Sequence, residues 1–126
     1  MTRKLHSHKQ TPLNEVLAVS VLDEPGPGGA CHSYLICADE SVAQCKDPVS
    51  CFIHFQEGPI LESGVNGISV EALLAVVEDR LQGFQSGQFS CRENAVALTK
   101  IQEALMWLGH RTADRVRRGV EGTNQK

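Results

Sequence analysis

From Cys91 to Arg118 the chain runs without a proline, and its apolar residues recur at helical spacing. Val96 (or Ala97), Leu98, Ile101, Leu105 and Leu108 form one stripe, the repeat of an amphipathic helix. Ser90-Cys-Arg-Glu93 has the S-x-x-E spacing of a capping box and marks the start, and Gly119 suits the residue that ends it. A helix over 90–118 spans roughly 42 Å at 1.5 Å per residue. A single domain of this size has a radius of gyration of roughly 14 Å. The spacing therefore predicts a helix that outruns its own domain and exposes Met106 and Trp107, a face that a second copy of the chain would cover. The alternative is a break at Gly109, with the chain folding back.

A second helix is predicted upstream, over about 69–86. Val70, Leu73, Leu74, Val77 and Leu81 share one face, Ser69 is a good N-cap, and Gly83 and Gly87 loosen the end. Before residue 62 the character changes. Glu15–Leu22, Ala30–Ala38 and Cys51–Gln56 are short apolar runs. The first two flank Asp23-Glu-Pro-Gly-Pro-Gly-Gly29, the pattern of an antiparallel hairpin with a long loop. The polar stretch 39–50 reads as a loop. The expectation is an α+β fold in a single domain, with a small antiparallel sheet over about 13–62 and two long C-terminal helices.

Composition limits what such a chain does. At 126 residues it has the length of one domain, and 41% hydrophobic residues suffice for a core. The formal charge of −3 argues against general nucleic-acid binding, though not against a local basic site. No run approaches the ~18 apolar residues of a membrane span. The first ten residues are basic and polar with no apolar core, so a secretory signal is not expected. Five cysteines, with no CxxC, point to thiols in a reducing compartment rather than a disulfide framework. Cys45, Cys51 and His54 match no common zinc spacing, and neither a metal nor a cofactor is expected.

The candidate chemistry is concentrated in the second half. Arg111, Arg115 and Arg118 fall at i, i+4, i+7 and continue the apolar stripe of the last helix. Guanidinium forks suit phosphate oxygens, but cations also favour a helix C-terminus, and spacing alone does not choose between these readings. Phe84 and Phe89 lie at the glycine-rich junction, where an aromatic can stack on a base or fill the core under the turn. Asn94 offers an amide in the first turn of the last helix. The loop at Gly28-Gly29 leaves backbone open to a phosphate or simply turns a hairpin. It meets neither GxGxxG nor the Walker pattern. His32, His54 and His110 are isolated, and no hydrolase or metalloprotease motif occurs, so an enzyme is not expected.

Six segments together carry a resemblance: PGPGGA at 25–30, GVNGIS-x-EALLA at 64–75, DRLQGFQSG at 79–87, CRENA-x-ALTK at 91–100, EALMWL at 103–108 and RT-x-DR-x-RRGVEGT at 111–123. The chain resembles the phage Thoeris anti-defence sponges of the first described type. That resemblance implies a small antiparallel sheet with two long helices, assembled as dimers or as hexamers built from dimers, in the cytoplasm of an infected bacterium. It implies binding of a cyclic ADP-ribose isomer made by TIR-domain enzymes, held without degradation. For some members it also implies a second site for the cyclic di- or trinucleotides of CBASS. Matched residue by residue, Phe84 is the aromatic expected to stack on adenine, Asn94 an amide beside it, and Arg111 an arginine at the pyrophosphate. Arg115 and Arg118 are added from their shared face. Gly28 and Gly29 are expected to close the site. Family members carry a basic residue near the strand that follows, where this chain has His32, with Tyr34 next on that side. Arg92 is the candidate for the second nucleotide site. The competing reading is a phage accessory protein whose helices bind a host protein.

Overall fold

A computed structural model describes residues 2–38 and 47–124. The order of elements is β1 (Arg3–Leu5), α1 (Pro12–Val16), β2 (Ala18–Val21), β3 (Ser33–Ala38), β4 (Val49–His54), α2 (Ile60–Ser63), α3 (Val70–Gln85) and α4 (Arg92–Arg118). The fold is α+β, as expected, with an antiparallel sheet followed by long helices. The chain groups into two compact units, Met1–Gln56 and Glu57–Lys126.

The first unit is a four-stranded antiparallel sheet in the order β1-β2-β3-β4. Its middle register sets Val21 opposite Tyr34 and Tyr34 opposite Ile53. Val19, Ile36 and Cys51 line up on the same face, because side chains one pair apart point to opposite sides. Val21 is fully buried, and Tyr34 meets the ring of Phe55 edge-on at 5.7 Å.

Three expectations are corrected here. The sheet begins at Arg3, because β1 pairs through its backbone with β2. Only Leu5 in that strand is apolar, so no alternation marked it. The run 15–22 does not form one strand. Pro12 opens a short helix capped by Thr11, whose hydroxyl accepts from the Asn14 amide at 3.4 Å, and Glu15 and Val16 join it. Of the expected loop 39–50, residues 39–46 lie outside the described residues, whereas Val49 and Ser50 belong to β4.

The second unit is built on the α3–α4 pair. Ser69 caps α3 as predicted, its hydroxyl accepting from the Ala72 amide at 3.0 Å. For α4 the cap is Cys91, one residue later than the predicted Ser90, and its sulfur accepts from the Asn94 amide. The side chain of Gln85 accepts from the Cys91 amide at 3.0 Å, and Ser90 donates back to the Gly87 carbonyl. These bonds hold the connection as a turn through Ser90, so the capping box does not form.

Helix α4 passes through Gly109 unbroken and ends at Gly119, where the amides of 119 and 120 return to the carbonyls of Val116 and Arg115. Leu98, Ile101, Leu105 and Leu108 are half-buried along one side, as the stripe predicted, while Met106 and Trp107 are 59% and 65% exposed. A Cβ on Gly109 would meet nothing within 4 Å. Gly109→Ala is therefore expected to stabilise the helix by about 0.5–1 kcal/mol, read as a higher melting temperature. A lower one would show that a neighbouring chain approaches that backbone closely.

Candidate functional site

Helices α3 and α4 are joined by residues 86–91, so the end of α3 and the start of α4 share one end of the hairpin. Phe84 and Asn94 both lie there, and both are half-buried. The Arg80 guanidinium sits 4.9 Å from the centre of the Phe84 ring. The Asn94 carboxamide has no hydrogen-bond partner among the described residues, leaving a donor and an acceptor for another molecule. Arg92, at the first position of α4, is exposed at this same end. Phe89, 69% exposed, is not core under the turn.

Arg111 is elsewhere. It lies roughly 25 Å farther along α4 than Asn94, at 1.5 Å per residue. There it lines a cleft of about 250 Å³ together with Asp114, Arg115 and Arg118. The three arginines are brought together as their spacing predicted, but they are not equivalent. Arg115 is 8% exposed and turned onto the C-terminal tail. Its Nη2 donates to the carbonyls of Val120 (2.9 Å) and Thr123 (3.1 Å), and its Nε donates to the Glu121 carboxylate at 3.2 Å. Arg118 donates to Asp114 at 2.9 Å, and Arg117 bonds the other oxygen of the same carboxylate. Among the described residues, no carboxylate lies within ion-pair reach of Arg111, which is exposed.

The tail that Arg115 holds runs back over α2. Gly122 is buried with φ +82°, and a Cβ there would lie 3.0 Å from Cγ of Leu61. Its carbonyl accepts from the Leu61 amide. Both the left-handed backbone and the close approach require glycine. The G-V-E-G-T sequence after α4 is thus a structural clasp.

The hydrogen bond from Arg117, reinforced by that from Arg118 against some desolvation, holds the Asp114 carboxyl below its ordinary value. A depressed carboxyl contributes stability above its unfolded pKa, near ~4, and that contribution is lost as pH falls through the folded value. Melting of the parent is expected to drop below that range by more than melting of Asp114→Asn. Identical acid profiles would show that the Asp114 pairs contribute nothing in solution.

In the first unit, the Asp23–Gly29 loop is stapled by Asp23. Its carboxylate accepts from the amides of His32 (2.9 Å) and Ser33 (3.1 Å). Burial pushes this carboxyl up, but those amide bonds outweigh it and hold it below the ordinary value. Gly26 and Ala30 close the turn at 2.8 Å, with Gly29 at φ +91°. Gly28 and Gly29 are exposed, and a Cβ on either would meet nothing. The His32 ring lies under the loop, where a Cβ on Gly26 would be 3.0 Å from Cε1. Its Nδ1 is buried, 3.8 Å from the Asp23 carboxylate. His32 is therefore a brace beneath the loop, and Tyr34 is half-buried on β3. Of Cys45, Cys51 and His54, Cys45 lies outside the described residues, and His54 Nδ1 shares a 2.9 Å hydrogen bond with the Ser33 hydroxyl.

Residues 47–113, more than half of the chain, match the family described as "Acb2/Tad1, hairpin domain". The chain belongs to that family. The matched stretch includes β4, the whole α3–α4 pair as far as residue 113, and the positions Phe84, Arg92, Asn94 and Arg111. A 74-residue stretch is also 58% identical to "Thoeris anti-defense 1" of Bacillus phage SBSphiJ7, covering 59% of this chain and 52% of that relative. The chain thus matches about half the length of that relative.

Sequence reasoning missed Arg80 and Asp114. Both carried a signal: Arg80 lies four residues before Phe84, and Asp114 lies three and four before Arg117 and Arg118.

Proposed function

We propose that this protein is a phage anti-defence protein that binds a cyclic ADP-ribose isomer produced by Thoeris TIR-domain enzymes and holds it intact. The observation that carries this reading is Arg111, a guanidinium with no acid partner among the described residues, at the edge of an arginine-lined cleft. Phe84 and the Asn94 carboxamide, which is unpaired among the described residues, support it as the base-recognising half. A stacking ring, an amide and guanidinium donors match an adenine carrying two phosphates. These are binding groups and include no nucleophile. Arg118 joins Arg111 at the phosphates by exchanging Asp114 for the ligand. Arg115 acts on the ligand only through the cleft wall it forms. Gly28 and Gly29 supply backbone contacts, with His32 supporting their loop. Arg92 marks the start of a second site for cyclic di- or trinucleotides.

Phe84 and Arg111 are too far apart along the hairpin to touch one small ligand within a chain. The complete site is then formed by two copies, the base end of one meeting the arginine end of the other. The exposed Met106 and Trp107 are the surface through which copies dock. Complementation tests this. Phe84→Ala and Arg111→Ala are each expected to bind the ligand about ten- to a hundredfold more weakly alone, and mixing them with subunit exchange restores parent-like affinity at about a quarter of the dimer's sites. No recovery from a mixture shown to exchange would place both residues' contributions in one chain. The same exposed face favours the host-protein reading only if Met106 or Trp107 substitutions abolish anti-defence while Arg111→Ala leaves it intact.

A further inference from the structure

Arg80 and Phe84 lie four residues apart on α3, the spacing that stacks one side chain over the next on a helix. The guanidinium is 4.9 Å from the ring centre, within the range of a cation–π contact. Arg80 is exposed and makes no ion pair among the described residues, so no carboxylate draws it off the ring. Phe84 itself is only half-buried, so part of its ring remains accessible.

We propose that Arg80 is a positioning residue that occupies one face of Phe84 and makes it a one-sided platform for a flat, electron-rich base. This rests on the reading of Phe84 as the stacking group. Two physical effects follow from the contact. The guanidinium blocks one ring face and restricts rotation of the side chain, so less freedom is lost when a base arrives. It also draws π-electron density toward itself, leaving the opposite face a better partner for a purine.

The test is a double-mutant cycle on the full chain, titrated calorimetrically with cyclic ADP-ribose prepared with a TIR-domain enzyme. Arg80→Met is expected to weaken binding about two- to fivefold, the scale of an exposed cation–π contact. Arg80→Lys, which keeps a cation over the ring, is expected to recover most of that loss. In a Phe84→Leu background, which keeps an apolar side chain but has no ring, Arg80→Met is expected to change affinity by less than about 1.5-fold. Equal losses in the two backgrounds would overturn the proposal, because Arg80 would then act directly on the phosphates. No loss in the parent background would overturn it as well. If Phe84→Leu and Phe84→Ala bind as tightly as the parent, the stacking reading itself fails. Unchanged melting temperatures verify that each variant is folded.

Discussion

Replacing Arg111 with alanine is expected to weaken binding of the cyclic ADP-ribose by about 1.5–3 kcal/mol, the scale of a hydrogen bond to a charged group. That is a loss of about ten- to more than a hundredfold in affinity. The protein's stability should not change, because Arg111 is exposed and pairs with no carboxylate among the described residues. Calorimetric titration beside thermal melting separates the two. An Arg111→Ala variant that binds like the parent would remove Arg111 from the site. One that melts much lower would show that it serves the fold.

The opposite pattern is expected one turn later. Arg115→Ala deprives the carbonyls of Val120 and Thr123 and the Glu121 carboxylate of their donor. A loss of about 1.5–3 kcal/mol in stability follows, with the tail released from α2. Urea denaturation measures the first effect. Earlier cleavage by a protease after residue 119 measures the second. A variant as stable and as protected as the parent would mean that the clasp makes no net contribution. The contrast between neighbouring arginines is physical. One is held by acceptors from its own chain, and the other is exposed with no acid partner among the described residues.

That contrast was only half legible in the sequence. Helical spacing placed Arg111, Arg115 and Arg118 together, and the cleft has all three. Spacing could not divide their roles, because Arg115 is claimed by a tail whose path depends on turns at Gly119 and Gly122. Helices α3 and α4 were readable because their apolar stripes repeat over several turns and the Ser69 cap is local. The start of α4 was misplaced by one residue because a side chain from the preceding helix, Gln85, fixes the turn. Strand β1 was invisible because its pairing is a backbone property and two of its three side chains are charged. His32 stands where family members carry a basic residue, and its place under the loop depends on Asp23, nine residues away, which no local pattern shows. Phe84 and Asn94 were legible as a pair at the junction. Their distance from Arg111 became plain only once α4 proved unbroken at Gly109.

In the proposed function the ligand is captured and kept whole. Native mass spectrometry of the purified protein, after exposure to lysate from cells with an activated TIR-domain enzyme, tests it most directly. The expected result is an oligomer carrying bound small molecules that heating releases at the intact mass of a cyclic ADP-ribose. Release of a cleaved product, or a folded protein that takes up no such ligand, would contradict it.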